Sequence, residues 1–143
     1  MNLTVPQKLR IAEYLSTLGV QYVEGGWPNP GNSAENEFFR RVMKQKLHAN
    51  VVAFGMTRRP ATDPRHDFNL KSLIDCGTSM VTIVGKSSAF HVKNVLQTSL
   101  GENLNMIRDS ISLLRKHDRR VIYDAEDFFD AIKENADYAF STI

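Results

Sequence analysis

At 143 residues, with 42% hydrophobic and 24% charged residues, the chain has the size and composition of one compact soluble domain. Its 18 basic and 16 acidic residues are interspersed and leave a net charge of +2, so neither nucleic acid nor a membrane is predicted as a partner. The single cysteine, Cys76, excludes an internal disulfide, and no apolar run approaches the roughly 20 residues that span a bilayer. Because the N-terminus also lacks the pattern of a secretory signal, the sequence predicts a cytoplasmic protein.

Short strands and helices alternate along the chain. The β-favouring runs predict strands at residues 20–24, 50–55, 79–85 and 121–124. Apolar residues at helical spacing predict helices at residues 4–18, from Asn32 or Ser33 onward, at 68–76, at 89–117 with a break near Gly101, and at 134–140. Thr4 is the expected N-cap of the first helix, and Gly19 and Gly77 are expected to end the first and third helices.

The strands recur about every 30 residues, and about 40 residues separate the last two, as in folds built from parallel βα units. This pattern leaves two architectures open: a small doubly wound domain, or part of an eightfold βα barrel. No Gly-x-Gly-x-x-Gly phosphate turn is present. The run Gly25-Gly26-Trp27-Pro28 is a poor substitute, because Pro28 and Pro30 donate no amide hydrogens.

The stretch 121–130 places three carboxylates at the end of a predicted strand. Strand side chains alternate between faces, so Asp124 and Glu126 should share one face, while Tyr123, Ala125 and Asp127 should occupy the other. If the acidic face lies inside a closed sheet, the two acids must meet a cation, a metal or a substrate. The alternative is a strand that simply emerges into solvent, where carboxylates are well hydrated.

Several segments together resemble the α-isopropylmalate synthase and homocitrate synthase family, in particular its citramalate synthase type. They are residues 8–13, 18–28, 52–59, 81–88, His91, 102–110 and 121–130. The resemblance covers essentially the whole chain. It implies a TIM barrel that condenses acetyl-CoA with a 2-oxo acid, pyruvate in the citramalate case, using a divalent metal such as Mg²⁺ or Mn²⁺.

The resemblance further implies that residues 1–143 are a partial TIM-barrel domain, with about four parallel strands and flanking helices. Residues 1–18 correspond to the first barrel helix, and the four strands to the second through fifth. The family's metal-ligand motifs would lie before Met1 and after Ile143, where the final helix ends without a capping residue. We therefore expect the chain alone to be catalytically inactive. Its open sheet edges are expected to pair with a second copy or with a complementary barrel fragment.

By the same resemblance, Glu126 corresponds to the catalytic base, which activates the acetyl methyl group or a water. Thr82 and Asp124 correspond to positions that line the 2-oxo acid pocket. All three are expected near the carboxyl ends of strands, where barrel active sites lie. Without the resemblance, Thr82 would be interpreted as an ordinary strand residue.

Four further positions are candidates for substrate binding, each with an ordinary structural alternative. Glu24, which precedes two glycines, is expected at the mouth of the site, or else in a cap or an ion pair. Arg58 and Arg59 could bind a carboxylate or the CoA phosphates, or simply be solvated. His91 could position substrate or serve as an ordinary helix-terminal residue. Lys86 matches a family Gly-Lys-Ser motif, but the sequence assigns it no role.

No metal site is predicted within the chain. The four histidines are His48, His66, His91 and His117. None is spaced as His-x-His or His-x-x-x-His from another, and each falls on a different predicted helix or loop. Besides a partial acyltransferase, the sequence is therefore also compatible with a non-catalytic half-barrel that acts as an interaction or assembly module.

Overall fold

A computed structural model of the chain describes residues 3–143. The helices are α1 Val5–Thr17, α2 Ser33–Val42, α3 Phe68–Asp75, α4 Ala89–Asn94, α5 Leu100–Lys116 and α6 Phe128–Ser141, with a short 3₁₀ turn at Pro64–His66. The strands are β1 Tyr22–Gly26, β2 Asn50–Met56, β3 Met80–Lys86 and β4 Arg120–Glu126. None of the helices in residues 3–143 is both long and apolar enough to cross a bilayer.

The four strands form one parallel sheet in the order β1-β2-β3-β4. Each strand therefore pairs with the next strand along the chain, as in a βα barrel, whereas a doubly wound sheet reverses its strand order at a switch point. This order confirms the prediction of four parallel strands with flanking helices.

One face of the sheet carries the hydrophobic core. Alternate strand residues such as Ala53, Val81 and Ile83 are fully buried against α1, α2, α3 and α5. The helices contribute large apolar side chains, among them Phe38 and Leu73, to the same cluster. The other sheet face, which we call the open face, therefore carries the residues that lie between these core residues along each strand. These include Glu24, Phe54, Thr82, Lys86, Asp124 and Glu126.

The glycines of β1 are explained by packing on the core face. A Cβ atom on Gly25 would lie 2.6 Å from Phe38 Cε1, and one on Gly26 would lie 2.2 Å from Glu35 Oε2. Gly26 also has a φ of 129°, which side-chain-bearing residues rarely adopt. The pair of glycines therefore lets α2 approach the strand closely, and no ligand is needed to account for them.

Most predicted helix boundaries are confirmed. Gly19 and Gly77 have φ values of 84° and 83° and follow α1 and α3 closely, as predicted. Thr4 precedes α1, and its backbone N–H donates to Gln7 Oε1 at 2.8 Å. The prediction of a helix across residues 1–18 partly falls on Met1 and Asn2, which lie outside the described residues.

The predicted break in the 89–117 helix is confirmed and lies at residues 95–99, just before Gly101, where the Ser99 side chain caps a new helix by accepting from Glu102 N at 3.1 Å. One helix differs from the prediction. The last helix begins at Phe128 rather than at residue 134. Asn135 has non-helical dihedral angles within it, and its side chain accepts from Tyr138 N at 3.1 Å. The predicted helix thus matches only the second, separately capped part of α6.

The packing of β1 on α2 gives the first testable prediction. Gly25→Ala should lower the free energy of unfolding by about 1–3 kcal/mol, because Phe38 is buried and cannot move away without strain. The matched control is Gly101→Ala, since no atom lies within 4 Å of a Cβ at that position. The control should leave stability unchanged or raise it by up to about 1 kcal/mol, because Gly101 lies within α5 and alanine has the higher helix propensity. Denaturant unfolding of both variants measures the difference, and equal stabilities would contradict this packing.

Candidate functional site

Charged side chains gather on the open face where β3 and β4 end. The two strands pair in register, with Val84 opposite Asp124 and Lys86 opposite Glu126. Lys86 and Glu126 are the last residues of their strands. In parallel sheets the carboxyl ends of the strands lie at one edge, and ligand sites of α/β folds are found there.

Lys86 and Glu126 form an ion pair, Nζ to Oε2. Both side chains are partly exposed, Lys86 to 20% and Glu126 to 37%, so the pair faces the open side of the sheet. The main chain beside it is held as well, because Ser87 N donates to the Glu126 carbonyl and Asn103 Nδ2 donates to the Lys86 carbonyl at 2.8 Å. Lys86, to which the sequence assigned no role, is thus the direct partner of the predicted base.

Asp124 lies on the same face, one pleat before Glu126, as alternation predicted. Its side chain is exposed and makes no hydrogen bond or ion pair with any residue in the 3–143 range. Lys86 is therefore the only cation that contacts either of these two carboxylates among the described residues.

Thr82 lies deeper in the same face, and its position differs from the prediction. It is the third of seven residues in β3, in the first half of the strand and not near its carboxyl end. The residue is 3% exposed, and its buried Oγ1 atom has no hydrogen-bond partner among the described residues. An unpaired buried hydroxyl costs about 1–3 kcal/mol, which a hydrogen-bonding ligand would recover.

Glu24 lies on the open face of β1, opposite Val52 in the register. Its side chain is exposed, and residues 3–143 provide no hydrogen-bond or ion-pair partner for it. Neither of the two structural alternatives, a cap or an ion pair, is therefore seen for Glu24. It remains a free carboxylate on the same sheet face as the β4 acids.

Arg58 is not available to bind substrate in this structure. Its side chain is 6% exposed and donates to Glu102 Oε1 at 2.7 Å and to Asp109 Oδ2 at 2.8 Å. Its backbone N–H donates to Ser110 Oγ at 2.9 Å. The predicted binding role is thus replaced by a structural one, in which Arg58 attaches the β2–α3 loop to α5. Arg59, in contrast, is half exposed and stacks over Phe68.

His91 lies in α4, directly after the end of β3. Its Nδ1 atom is buried and lies 3.1 Å from Asp127 Oδ2. Asp127 is not on the face of β4 opposite Glu126, as alternation suggested, because the strand ends at Glu126. Asp127 has a φ of 56°, and this left-handed turn directs its side chain to α4. Strand alternation therefore does not apply to it.

The acids of the open face do not form a metal site by themselves. Nowhere in residues 3–143 do three His, Cys, Asp or Glu side chains come together closely enough to hold a metal ion. The described residues thus offer a carboxylate, an ammonium group and an unpaired hydroxyl as their reactive and binding groups.

The chain belongs to the HMGL-like family, whose family model matches residues 1–140. Among curated relatives, it is 46% identical over 144 residues to an (R)-citramalate synthase of Synechocystis sp. and 42% identical to one of Sulfolobus acidocaldarius. Each match covers 100% of this chain but only 26% and 27% of the relative. The chain therefore spans about a quarter of the length of these relatives.

Solved structures show the same fold. A hydroxymethylglutaryl-CoA lyase from Pseudomonas aeruginosa superposes with a TM-score of 0.64 at 18% identity, covering 86% of this chain and 39% of that one. An HMG-CoA lyase from Bacillus subtilis gives a TM-score of 0.66 at 12% identity, covering 99% of this chain and 49% of that one. These likenesses confirm the predicted partial TIM barrel, in which the open face is part of the barrel interior.

The Arg58 cluster gives a prediction of pH dependence. The hydrogen bond from Arg58 lowers the pKa of Glu102 below its ordinary value of 4.5. A carboxyl group with a lowered pKa stabilises the fold above its unfolded-state pKa, and that stability is lost as the pH falls through the folded-state pKa. Glu102→Gln should therefore cost about 1 kcal/mol at neutral pH, and the cost should shrink progressively below about pH 4.5. Urea unfolding from pH 7 to pH 3 measures this, and a cost independent of pH would contradict it.

Proposed function

We propose that this chain forms part of the active site of an acyltransferase that condenses acetyl-CoA with a 2-oxo acid, with pyruvate as the acceptor. The observation that carries the proposal is the Lys86–Glu126 pair at the carboxyl ends of adjacent strands, beside Asp124. The identity of 42–46% with (R)-citramalate synthases over the whole chain supports this choice of reaction.

Glu126 is the proposed general base. Condensation at the methyl carbon of a thioester requires removal of a methyl proton, and a carboxylate is a suitable acceptor when it lies close to the reacting carbon. The side chain is partly exposed on the open face, so a ligand can reach it. Lys86 holds the carboxylate through Oε2, which leaves Oε1 as the oxygen that can accept the proton.

The acceptor acid is proposed to bind on the same face. Thr82 Oγ1 can donate to, or accept from, a polar group of the ligand, since nothing else in the described residues pairs with it. Asp124 and Glu24 are exposed there and would line the pocket. His91, in α4 just after β3, is proposed to bind substrate from the rim. Arg58 is left out of the proposed site because its guanidinium is already bound by two carboxylates.

The proposed reaction needs the rest of a barrel. The resemblance assigns the divalent cation to ligands outside residues 1–143, and the described residues provide no site for it. We therefore propose that the isolated chain does not turn over acetyl-CoA and pyruvate, even with added Mg²⁺ or Mn²⁺.

A chimera tests the proposed function. This chain would replace the matching segment of the Synechocystis sp. enzyme, and release of free CoA from acetyl-CoA and pyruvate would be followed. In an active chimera, Glu126→Gln should lower kcat by about 10²- to 10⁴-fold, because it keeps the side-chain volume and removes the proton acceptor. Binding of pyruvate should change much less.

The matched control is Asp130→Asn, which removes a carboxylate four residues along the chain. Asp130 is 80% exposed and, among the described residues, pairs with Lys133 alone, so the control chimera should keep its rate. A Glu126→Gln chimera as active as the control would contradict the assignment. Robust turnover by the isolated 143-residue chain would contradict the proposal that the rest of the barrel is required.

A second candidate function is that of an assembly module that pairs with a second copy or a complementary fragment. The exposed apolar side chains near β4 and α6 favour it. They are Ile122, Phe129, Phe140 and Ile143, with Phe129 80% exposed. Both β1 and β4 also have a free edge within residues 3–143.

If the module hypothesis holds, the chain should be dimeric or larger in solution. Phe129→Glu should shift the assembly toward monomer, because it places a charge in the exposed apolar patch. Light scattering over a hundredfold range of concentration measures the molar mass. A monomer that is stable at every concentration would argue against this function.

A further inference from the structure

We infer that Asp127 is a positioning residue for His91, and that it fixes the tautomer of the imidazole so that Nε2 keeps its lone pair free for a ligand. The inference rests on the proposed function for the role of His91, but the contact itself does not. It starts from the 3.1 Å separation between Asp127 Oδ2 and His91 Nδ1.

The environment of the two ring nitrogens is unequal. Nδ1 is buried, and apart from the Asp127 carboxylate no partner for it exists among residues 3–143. The side chain as a whole is 33% exposed, so its exposed part is the remainder of the ring. The two atoms lie within ion-pair distance but do not meet hydrogen-bond geometry, so the carboxylate acts on this buried nitrogen through its negative charge.

The chemistry of the two groups determines the tautomer. A carboxylate can only accept a hydrogen bond, so a neutral imidazole beside it is favoured with its proton on Nδ1. Nε2 is then left with a lone pair on the exposed side of the ring. In this form His91 accepts a hydrogen bond from a ligand, and when it is protonated it donates one to an anionic oxygen.

The position of the pair places it beside the proposed base. Asp127 directly follows Glu126, so their Cα atoms are about 3.8 Å apart. Glu126 reaches back across the sheet to Lys86, and Asp127 reaches forward to α4. The end of β4 thus contacts the end of β3 through Glu126 and the helix α4 through Asp127.

The left-handed conformation of Asp127 offers a competing explanation. Asp and Asn are enriched at positive φ, so an Asp at a φ of 56° could be present for the turn alone. Glycine at this position would satisfy the turn at least as well and would remove the carboxylate. Asp127→Gly therefore separates the two roles without straining the backbone.

Long-range ¹H–¹⁵N NMR of the imidazoles in the 143-residue chain tests the inference. His91→Gln identifies the His91 signals among those of the four histidines. In the unmodified chain, neutral His91 should be mainly in the Nδ1–H form. In Asp127→Gly it should change to mainly Nε2–H, the tautomer that a free imidazole side chain prefers, while urea unfolding shows equal or higher stability. Asp130→Asn is the control and should leave the His91 signals unchanged.

Each outcome bears on a different claim. If His91 keeps the same tautomer in Asp127→Gly, Asp127 serves only the turn and the inference is wrong. If the tautomer changes while Glu126→Gln leaves the chimera active, the positioning role stands and the proposed function fails. If the Asp127→Gly chain is unfolded, Asp127→Asn removes the charge at a residue that also tolerates positive φ. Its amide oxygen still accepts, so a smaller shift toward Nε2–H is expected, and an unchanged tautomer ratio would contradict the role of the charge.

Discussion

The pairing of β3 with β4 is the constraint on which the candidate site depends. It places Lys86 directly opposite Glu126, and strand alternation then places Asp124 and Thr82 on the same face. A shift of the register by one residue would turn these side chains into the core. The core itself fixes the register, because Val81, Ile83 and their neighbours must meet the helices on the other face.

The strand ends are also joined by contacts that do not depend on the rest of a barrel. Asn103 in α5 donates to the Lys86 carbonyl and to Tyr138 Oη, both at 2.8 Å, and so links β3 to α6. Ser88 Oγ donates to Glu134 at 2.8 Å, which adds a second link between the β3–α4 junction and α6. The geometry around Glu126 is therefore set by local units, even though the chain spans only about a quarter of its curated relatives.

Periodicity, which is local, predicted the βα alternation and the shared acidic face but left two architectures open, and the choice of a partial barrel came from the family resemblance. The sequence could not predict the partners of Arg58, since Glu102 and Asp109 lie 44 and 51 residues away and meet it only in the folded chain. Lys86 was missed as the partner of Glu126 because the sequence did not specify the register of β3 on β4. Asp127 was misplaced because a non-glycine residue at positive φ leaves little signal in the sequence.

The central claim is that Lys86 and Glu126 act as one unit, and a double-mutant cycle in the chimera with the Synechocystis sp. enzyme tests it most directly. The values to compare are kcat/KM for the unchanged chimera, Lys86→Met, Glu126→Gln and the double variant. If Lys86 acts by holding the Glu126 carboxylate, its loss should matter little once that carboxylate is gone, so the double variant should resemble Glu126→Gln alone. If the two losses multiply, the residues act independently, and the account given for this site is contradicted.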